Sequence, residues 1–117
     1  MDDRKDLGRL SEQAAAAEMA LRGYGVTAMN VSIRGGEVDI VARNEEEIVF
    51  VEVRSRASGT ADDAIESVTP AKRAKVRRTA ECILAGMPVD YREVRFFVAA
   101  VTWDDGVPHV TIVEDAF

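Results

Sequence analysis

The sequence predicts a single α/β domain in which helices pack against a mixed β-sheet, with the element order αβββαββ. Two segments carry apolar residues at helical spacing and end at glycines, and five segments show the alternating or continuous apolar pattern of strands. A length of 117 residues with 47% hydrophobic residues suits one globular domain and is too short for two. We therefore treat residues 1–117 as one unit.

The first helix is predicted from about Leu7 to Arg22, directly before Gly23. Its expected inward stripe steps by three and four residues and consists of Leu7, Leu10, Ala14, Ala17 and Leu21. Glu12 lies roughly opposite this stripe, so periodicity places it in solvent. The side that carries Met19 is hardly polar, and periodicity leaves open whether it is covered as well.

The five predicted strands are bounded by turn residues. They are Tyr24–Ile33, Glu37–Arg43, Ile48–Arg54, Glu93–Thr102 and Val107–Val113. Asn44–Glu47 is the polar turn of a central hairpin, and Asp104–Gly106 is the turn before the last strand. The hairpin face expected to pack on helices comprises Val38, Ile40, Ala42, Val49, Val51 and Val53. Ala57–Ser67 is small, polar and acidic, which is typical of a loop containing a helical turn.

The second helix is predicted to begin at Pro70, with Thr69 as its N-cap, and to run to about Ala85. Its expected inward residues are Val76, Ala80, Ile83 and Leu84. Its outward residues include five cations with no acid among them: Lys72, Arg73, Lys75, Arg77 and Arg78. Such a face can hold a phosphate backbone, but it also occurs on ordinary solvated helices, and the sequence leaves both interpretations open.

The central hairpin combines apolar strands with two facing carboxylates. If the turn closes symmetrically on Glu45–Glu46, paired positions sum to 91, so Asp39 faces Glu52 and Glu37 faces Arg54. Like charges directly opposite each other destabilise a sheet by up to about 1 kcal/mol. A divalent cation would relieve the repulsion, because hard cations take carboxylate oxygens. The alternative is a surface charge ladder neutralised by the arginines of the third strand.

Composition excludes several classes of site. A single histidine and a single cysteine rule out a zinc site built on Cys/His clusters, and Cys82 is expected to be a small buried helix residue. The net charge of −6 argues against a strongly basic nucleic-acid coat. The amino-terminal stretch MDDRKDLGRL lacks an apolar signal core, and no apolar run reaches the length of a membrane span. We therefore expect a cytoplasmic protein without a membrane partner.

Several motifs resemble the YraN-like family of small bacterial proteins. They are Glu12 followed by Gly23–Tyr24, then GGEVDIVA, VFVEVRSR and SVTPAKRAKVRRTA, and together they span about residues 7–101. That family is similar to the restriction-endonuclease-like superfamily, whose motif is PD-(D/E)XK and which includes archaeal Holliday-junction resolvases. The resemblance implies a restriction-endonuclease-like fold and a metal-dependent nuclease acting on DNA, branched or structured DNA included.

The site residues implied by this resemblance follow the motif position by position. Asp39 and Glu52 match the two metal-binding acids, which with the Val53 carbonyl would hold Mg²⁺ or Mn²⁺ for hydrolysis of a phosphodiester. Glu12 matches the helix glutamate that approaches the site. Arg54 stands at the motif lysine, where a cation would stabilise the transition state. The cations expected to contact DNA are Arg56, Lys72, Arg73, Lys75, Arg77 and Arg78.

Three positions depart from the family pattern. Arg54 replaces the motif lysine, and arginine stays charged, so it cannot act as a general base. Ser11 stands where glycine is common, and Phe97 stands where an aspartate is usual. These departures leave two main hypotheses, a DNA nuclease and a catalytically inactive nucleic-acid-binding module, with a protein-interaction domain as a third. Many nucleases of the superfamily are dimers, so a homodimer is an option, although no segment stands out as its interface.

Overall fold

Three helices and five strands are formed in a computed structural model that describes residues 3–56 and 59–117, with side chains described from residue 6 onward. The helices are α1 (Asp3–Leu21), α2 (Ala61–Glu66) and α3 (Pro70–Ala85). The strands are β1 (Gly25–Ile33), β2 (Gly36–Arg43), β3 (Glu47–Arg56), β4 (Glu93–Asp104) and β5 (Val107–Val113). The predicted order is confirmed, and the helical turn expected in the loop is the short α2. Residues 57–58 of that loop lie outside the described residues.

The strands form one mixed sheet in the order β1-β2-β3-β4-β5. β3 and β4 run parallel, whereas every other neighbouring pair is antiparallel. A parallel pair needs a long crossover, and here α2 and α3 provide it. The chain is thus a single α/β domain with a five-stranded mixed sheet.

The helix α3 begins where its capping residues predict. The Thr69 hydroxyl accepts a hydrogen bond from the Lys72 backbone N–H at 3.2 Å, and Pro70 occupies the first helical position. Val76 and Ala80 are buried, as the periodicity predicted. Cys82, however, is exposed, so the expectation that it is buried was wrong. Two residues of helical rotation, about 200°, separate Cys82 from the inward face at Ala80.

The face by which α1 packs on the sheet differs from the predicted one. Ser11, Ala15 and Met19 are fully buried, whereas Leu10 and Leu21 of the predicted stripe are 41% and 84% exposed. Ala15 and Ser11 are small side chains, and packing through small side chains lets a helix approach a sheet closely. The predicted leucine stripe was therefore wrong, and the side that carries Met19, which periodicity left open, is buried. No helix in the described residues is both long and apolar enough to cross a bilayer.

Both faces of the sheet are covered. One core cluster lies under α1 and contains Ala15, Met19, Ile40, Ala42, Val49, Val51, Phe97, Ala99 and Val101. The second lies under α3 and contains Val38, Val41, Ile48, Phe50, Val76, Ala80 and Phe96. The apolar hairpin face is therefore confirmed for Ile40, Ala42, Val49 and Val51, while Val38 belongs to the opposite cluster. The hairpin is buried on both faces because a helix packs on each.

Candidate active site

The central hairpin has the predicted register but opens at one end. Its paired positions, from Arg43↔Ile48 to Ile40↔Val51, each sum to 91. The ladder stops there, so Asp39 and Glu52 lie just beyond its last pair. From that point β2 continues on β1 alone, and β3 continues on β4 alone as far as Arg56. The two strands that carry the carboxylates therefore separate where the carboxylates begin.

Asp39 is fixed on the neighbouring strand at this opening. Its Oδ2 accepts a hydrogen bond from the Val53 backbone N–H at 2.8 Å. A side chain thus satisfies a strand N–H group at the place where the backbone ladder has ended. As a result, the Asp39 carboxylate is held beside Glu52 by the backbone of β3.

A cavity of about 210 Å³ occupies the opening between the strands and α3. Three acids from the sheet line one side of it, Glu37, Asp39 and Glu52, and three α3 residues line the other, Lys72, Lys75 and Val76. Glu52 is only 5% exposed. The cavity therefore brings together the two predicted metal-binding acids and two of the predicted DNA-contacting cations.

Burial controls the charge of Glu52. Loss of hydration, followed by repulsion from Asp39, raises the pKa of the Glu52 carboxyl from 4.5 to about 7. Arg54 and Lys72 act in the opposite direction and lower this pKa. Their nitrogens lie 3.6 Å and 3.8 Å from Glu52 Oε1, respectively. The site thus concentrates negative charge that two cations offset only in part.

Glu12 lies at the edge of the same electrostatic environment. It is half-buried, so the expectation from periodicity that it lies in solvent was wrong. Burial, then repulsion from Asp39 and Glu37, raises the pKa of Glu12, while a hydrogen bond with Asn30 lowers it. The Glu12 carboxylate is therefore close enough to Asp39 for the two negative charges to repel each other, although Glu12 does not line the cavity.

Arg54 takes a different partner from the predicted one. It pairs with Glu52 on its own strand at 3.6 Å, and not with Glu37. The predicted Glu37–Arg54 pairing was wrong because the β2–β3 ladder ends before it reaches these positions. The Arg54 Nε group is buried and has no hydrogen-bond partner among the described residues. This N–H remains a free donor next to the carboxylates.

The donor set suits a hard divalent cation but is small. The described residues contain no group of three or more His, Cys, Asp or Glu side chains placed to hold a metal ion. Asp39 and Glu52 provide the carboxylate oxygens that such ions prefer. The raised pKa of Glu52 shows that its ionised carboxylate is destabilised at this position, so a nearby positive charge would stabilise it. A bound ion would need main-chain and water oxygens to fill its remaining positions.

The predicted basic surface divides into residues with different surroundings. Lys72 and Lys75 line the cavity. Arg73 donates from Nε to the Val68 carbonyl at 3.0 Å, and Arg77 lies over the Phe96 ring at 4.6 Å. Arg78 lines a second cavity, and Arg56 is exposed at the end of β3. The structure therefore places only two of the six predicted DNA-contacting cations at the carboxylates.

The other two departures from the family pattern lie away from the cavity. Phe97 is fully buried in the cluster under α1, where its ring meets Tyr24 edge-on at 5.9 Å. Ser11 is buried too, and its hydroxyl accepts a hydrogen bond from Trp103 Nε1 at 2.9 Å. Phe97 therefore occupies the face of the sheet opposite Glu52, and Ser11 links α1 to β4.

Three residues around the site were not assigned site roles from the motif. Glu37 and Val76 line the cavity, and Asn30 bonds Glu12. Asn30 has a φ of +52°, a left-handed conformation that asparagine tolerates better than most residues. Two signals were available, the glutamate of the GGEVDIVA motif and an asparagine inside a predicted strand, whereas Val76 looked like an ordinary core residue.

Comparison with known proteins gives one consistent result. The model of "Uncharacterised protein family UPF0102" matches residues 11–101. A UPF0102 protein of Anaeromyxobacter dehalogenans is 43% identical over 99% of this chain and 87% of its own length. One from Moorella thermoacetica is 41% identical over 97% of both chains, and one from Nitrosococcus oceani is 35% identical over 97% of this chain and 92% of its own.

Proposed function

The chain belongs to the UPF0102 (YraN-like) family, and we propose that it is a metal-dependent nuclease that hydrolyses phosphodiester bonds in DNA. One observation carries the proposal: Asp39 and Glu52 lie side by side in a cavity that Lys72 and Lys75 complete. Paired acids with adjacent cations are what cleavage of an anionic ester requires. With this function we propose that the domain is restriction-endonuclease-like.

The two buried acids would bind the ion. Asp39 and Glu52 would hold Mg²⁺ or Mn²⁺, with the Val53 carbonyl as a third protein ligand. The bound ion would supply Lewis-acid stabilisation and a water of lowered pKa. Asp39 is preorganised for this role because the Val53 N–H fixes one of its oxygens at 2.8 Å.

The cations around Glu52 would act on the phosphate. Arg54 and Lys72 both lie within 4 Å of Glu52 Oε1, so either can stabilise charge that grows on a phosphoryl oxygen nearby. Because arginine keeps its proton, Arg54 would orient and stabilise but not act as a base. Glu12, whose pKa is raised by burial and by repulsion from Asp39, would hold a water at the edge of the site.

The proposal is tested by cleavage of labelled DNA. Junction, flap, duplex and single-stranded substrates are incubated with the protein in Mg²⁺ and in Mn²⁺, and Asp39→Asn and Glu52→Gln are assayed in parallel. Glu45→Gln is the matched control, because it removes an exposed carboxylate at the other end of the hairpin. We expect wild type and the control to cleave and the two site variants to be inactive.

Two results would overturn the nuclease proposal. One is the absence of cleavage of every substrate by the wild-type protein in both metals. The other is cleavage by the Asp39 and Glu52 variants at the wild-type rate, which would point to a contaminating nuclease.

A second candidate function is nucleic-acid binding without turnover. The observation that favours it is Arg54, which stands at the motif lysine and is paired with Glu52 at 3.6 Å. In that case binding persists in EDTA and weakens with salt as phosphate contacts release counterions. Arg54→Lys separates the candidates: cleavage that appears only in this variant assigns the natural chain to binding. Cleavage by wild type excludes the second candidate.

A further inference from the structure

A second cavity, of about 270 Å³, adjoins the carboxylate cavity and differs from it in charge. It lies between the β1–β2 turn and the outer side of α3, and its lining includes Arg34, Gly35, Lys75, Arg78, Thr79 and Cys82. Lys75 lines both cavities. The first cavity contains three acids, whereas the lining of the second contains three cations and no acid.

The cations of the second cavity have no acidic partners within the part of the chain that the structure describes. Among the described side chains, none of Arg34, Lys75 and Arg78 makes an ion pair, although Lys72 on the same helix pairs with Glu52. Arg34 and Arg78 come from separate elements, so like charges converge without a carboxylate to separate them. In a protein with a net charge of −6, this arrangement suits an anion.

Local packing holds the cavity together. A Cβ atom at Gly36 would collide with the Thr79 hydroxyl, so the start of β2 lies directly against α3. The Thr79 hydroxyl is turned back to donate to the Lys75 carbonyl at 2.9 Å. Gly35 has a φ of +93°, which favours glycine and lets the chain turn tightly at this contact. The close approach thus fixes Arg34 beside the helix.

We propose that the cavity bounded by Arg34 and Arg78 binds a backbone phosphate of a nucleic-acid strand whose neighbouring phosphodiester lies at Asp39 and Glu52. This inference rests on the proposed function for the location of the second phosphodiester. Lys75 lies between the two positions and contacts both. The strand therefore crosses α3 toward the β1–β2 turn.

The same lining indicates what part of the nucleic acid is recognised. Among the described residues that line the two cavities, none is aromatic, so an unpaired base has no ring on which to stack. Guanidinium and ammonium groups instead contact phosphate oxygens without regard to sequence. Recognition at this cavity is therefore of the phosphate backbone.

Binding measured in EDTA tests the proposal independently of cleavage. A short fluorescein-labelled duplex is titrated with wild type and with the double variant Arg34→Gln/Arg78→Gln at several salt concentrations. The matched control is Arg22→Gln/Arg92→Gln, which removes two exposed cations elsewhere and changes net charge equally. We expect the cavity variant to bind more weakly and the slope of log affinity against log salt to fall in magnitude by about 0.9, the contribution of the one phosphate contact that is lost.

Cys82 provides a direct footprint of the cavity. It is exposed, lines the cavity and is the only cysteine in the chain, so a thiol reagent labels one site. We expect duplex DNA to slow labelling of Cys82 in wild type and in the control variant, but not in the Arg34/Arg78 variant. Inorganic phosphate at the same ionic strength should leave the labelling rate unchanged.

Three outcomes would overturn the inference. The cavity variant could match the control variant in affinity and salt slope, the duplex could leave the labelling of Cys82 unchanged, or inorganic phosphate could protect Cys82 as well as DNA does. None of these results depends on catalysis. If the protein cleaves DNA but gives one of these three results, the proposed function stands and the inference about the second cavity is wrong. If the binding and labelling experiments give the expected results but no DNA is cleaved, the nuclease proposal is wrong and phosphate binding at the second cavity stands.

Discussion

Replacing Glu52 by glutamine tests the electrostatics of the carboxylate cavity. In the folded protein, burial and Asp39 raise the pKa of Glu52 from 4.5 to about 7, while in the unfolded chain the group titrates near 4.5. The folded state therefore holds this proton more tightly than the unfolded state. The stability that protonated Glu52 contributes is fully present below pH 4.5 and is lost as the pH rises through about 7.

The size of the effect follows from the two pKa values. They differ by about 2.5, and each pH unit corresponds to 1.36 kcal/mol, so ionisation of Glu52 costs the folded protein about 3 kcal/mol by pH 8. Glutamine has nearly the same shape and cannot ionise. We therefore expect the free energy of unfolding of Glu52→Gln, taken relative to that of wild type, to be about 3 kcal/mol higher at about pH 8 than at about pH 4.5.

Urea unfolding in EDTA, followed by circular dichroism, measures this difference at both pH values. Glu45→Gln is the control, because Glu45 is exposed in the hairpin turn and its substitution should leave the pH dependence as in wild type. An equal stability difference between Glu52→Gln and wild type at both pH values would refute the argument from burial and repulsion. Equal denaturant slopes in the variants are required for the comparison.

Three further predictions concern metal binding and packing. Mn²⁺ at about 100 times its dissociation constant should raise the unfolding free energy of wild type at pH 8 by about 2.7 kcal/mol. The same concentration should leave the unfolding free energy of Asp39→Asn unchanged, and thermal unfolding measures both. A similar rise in Asp39→Asn would contradict the assigned site. Gly36→Ala should destabilise the protein by about 1–3 kcal/mol in urea, because the new methyl group meets the Thr79 hydroxyl, and wild-type stability in this variant would argue against that contact. Trp103→Phe should lower the free energy of unfolding by about 1–2 kcal/mol, because it leaves the buried Ser11 hydroxyl without its hydrogen-bond donor. Adding Ser11→Ala should recover part of this loss. No recovery would show that the loss of stability arises from packing alone.

The hairpin could be predicted from the sequence because its information is local. Strict alternation and a turn of polar residues determine the register, and the sum of 91 follows for every observed pair. The same is true of α3, whose N-cap Thr69 and first residue Pro70 are adjacent signals. The acids of the cavity, Asp39 and Glu52, were identified for the same reason.

Features that depend on long-range packing were not predictable in this way. The face of α1 was wrong because a helix of small residues is oriented by how closely it can approach the sheet, and Leu21 ends up 84% exposed. The Glu37–Arg54 pairing was wrong because alternation describes a ladder but not the position where it ends. Arg34 drew no attention, since a lone arginine in a turn acquires neighbours only when Gly36 meets Thr79.

The separation of β2 from β3 accounts for both cavities. Had the ladder continued, Asp39 and Glu52 would face each other across an ordinary pair of strands, with the Val53 N–H bonded to backbone instead of carboxylate. Because the first residues of β2 follow β1 toward α3, the opening is lined by acids from the sheet and lysines from the helix. The same displacement brings the β1–β2 turn against Thr79 and creates the basic cavity next to the acidic one. An acidic and a basic cavity joined at Lys75 therefore have a common structural cause, the early end of one strand pairing.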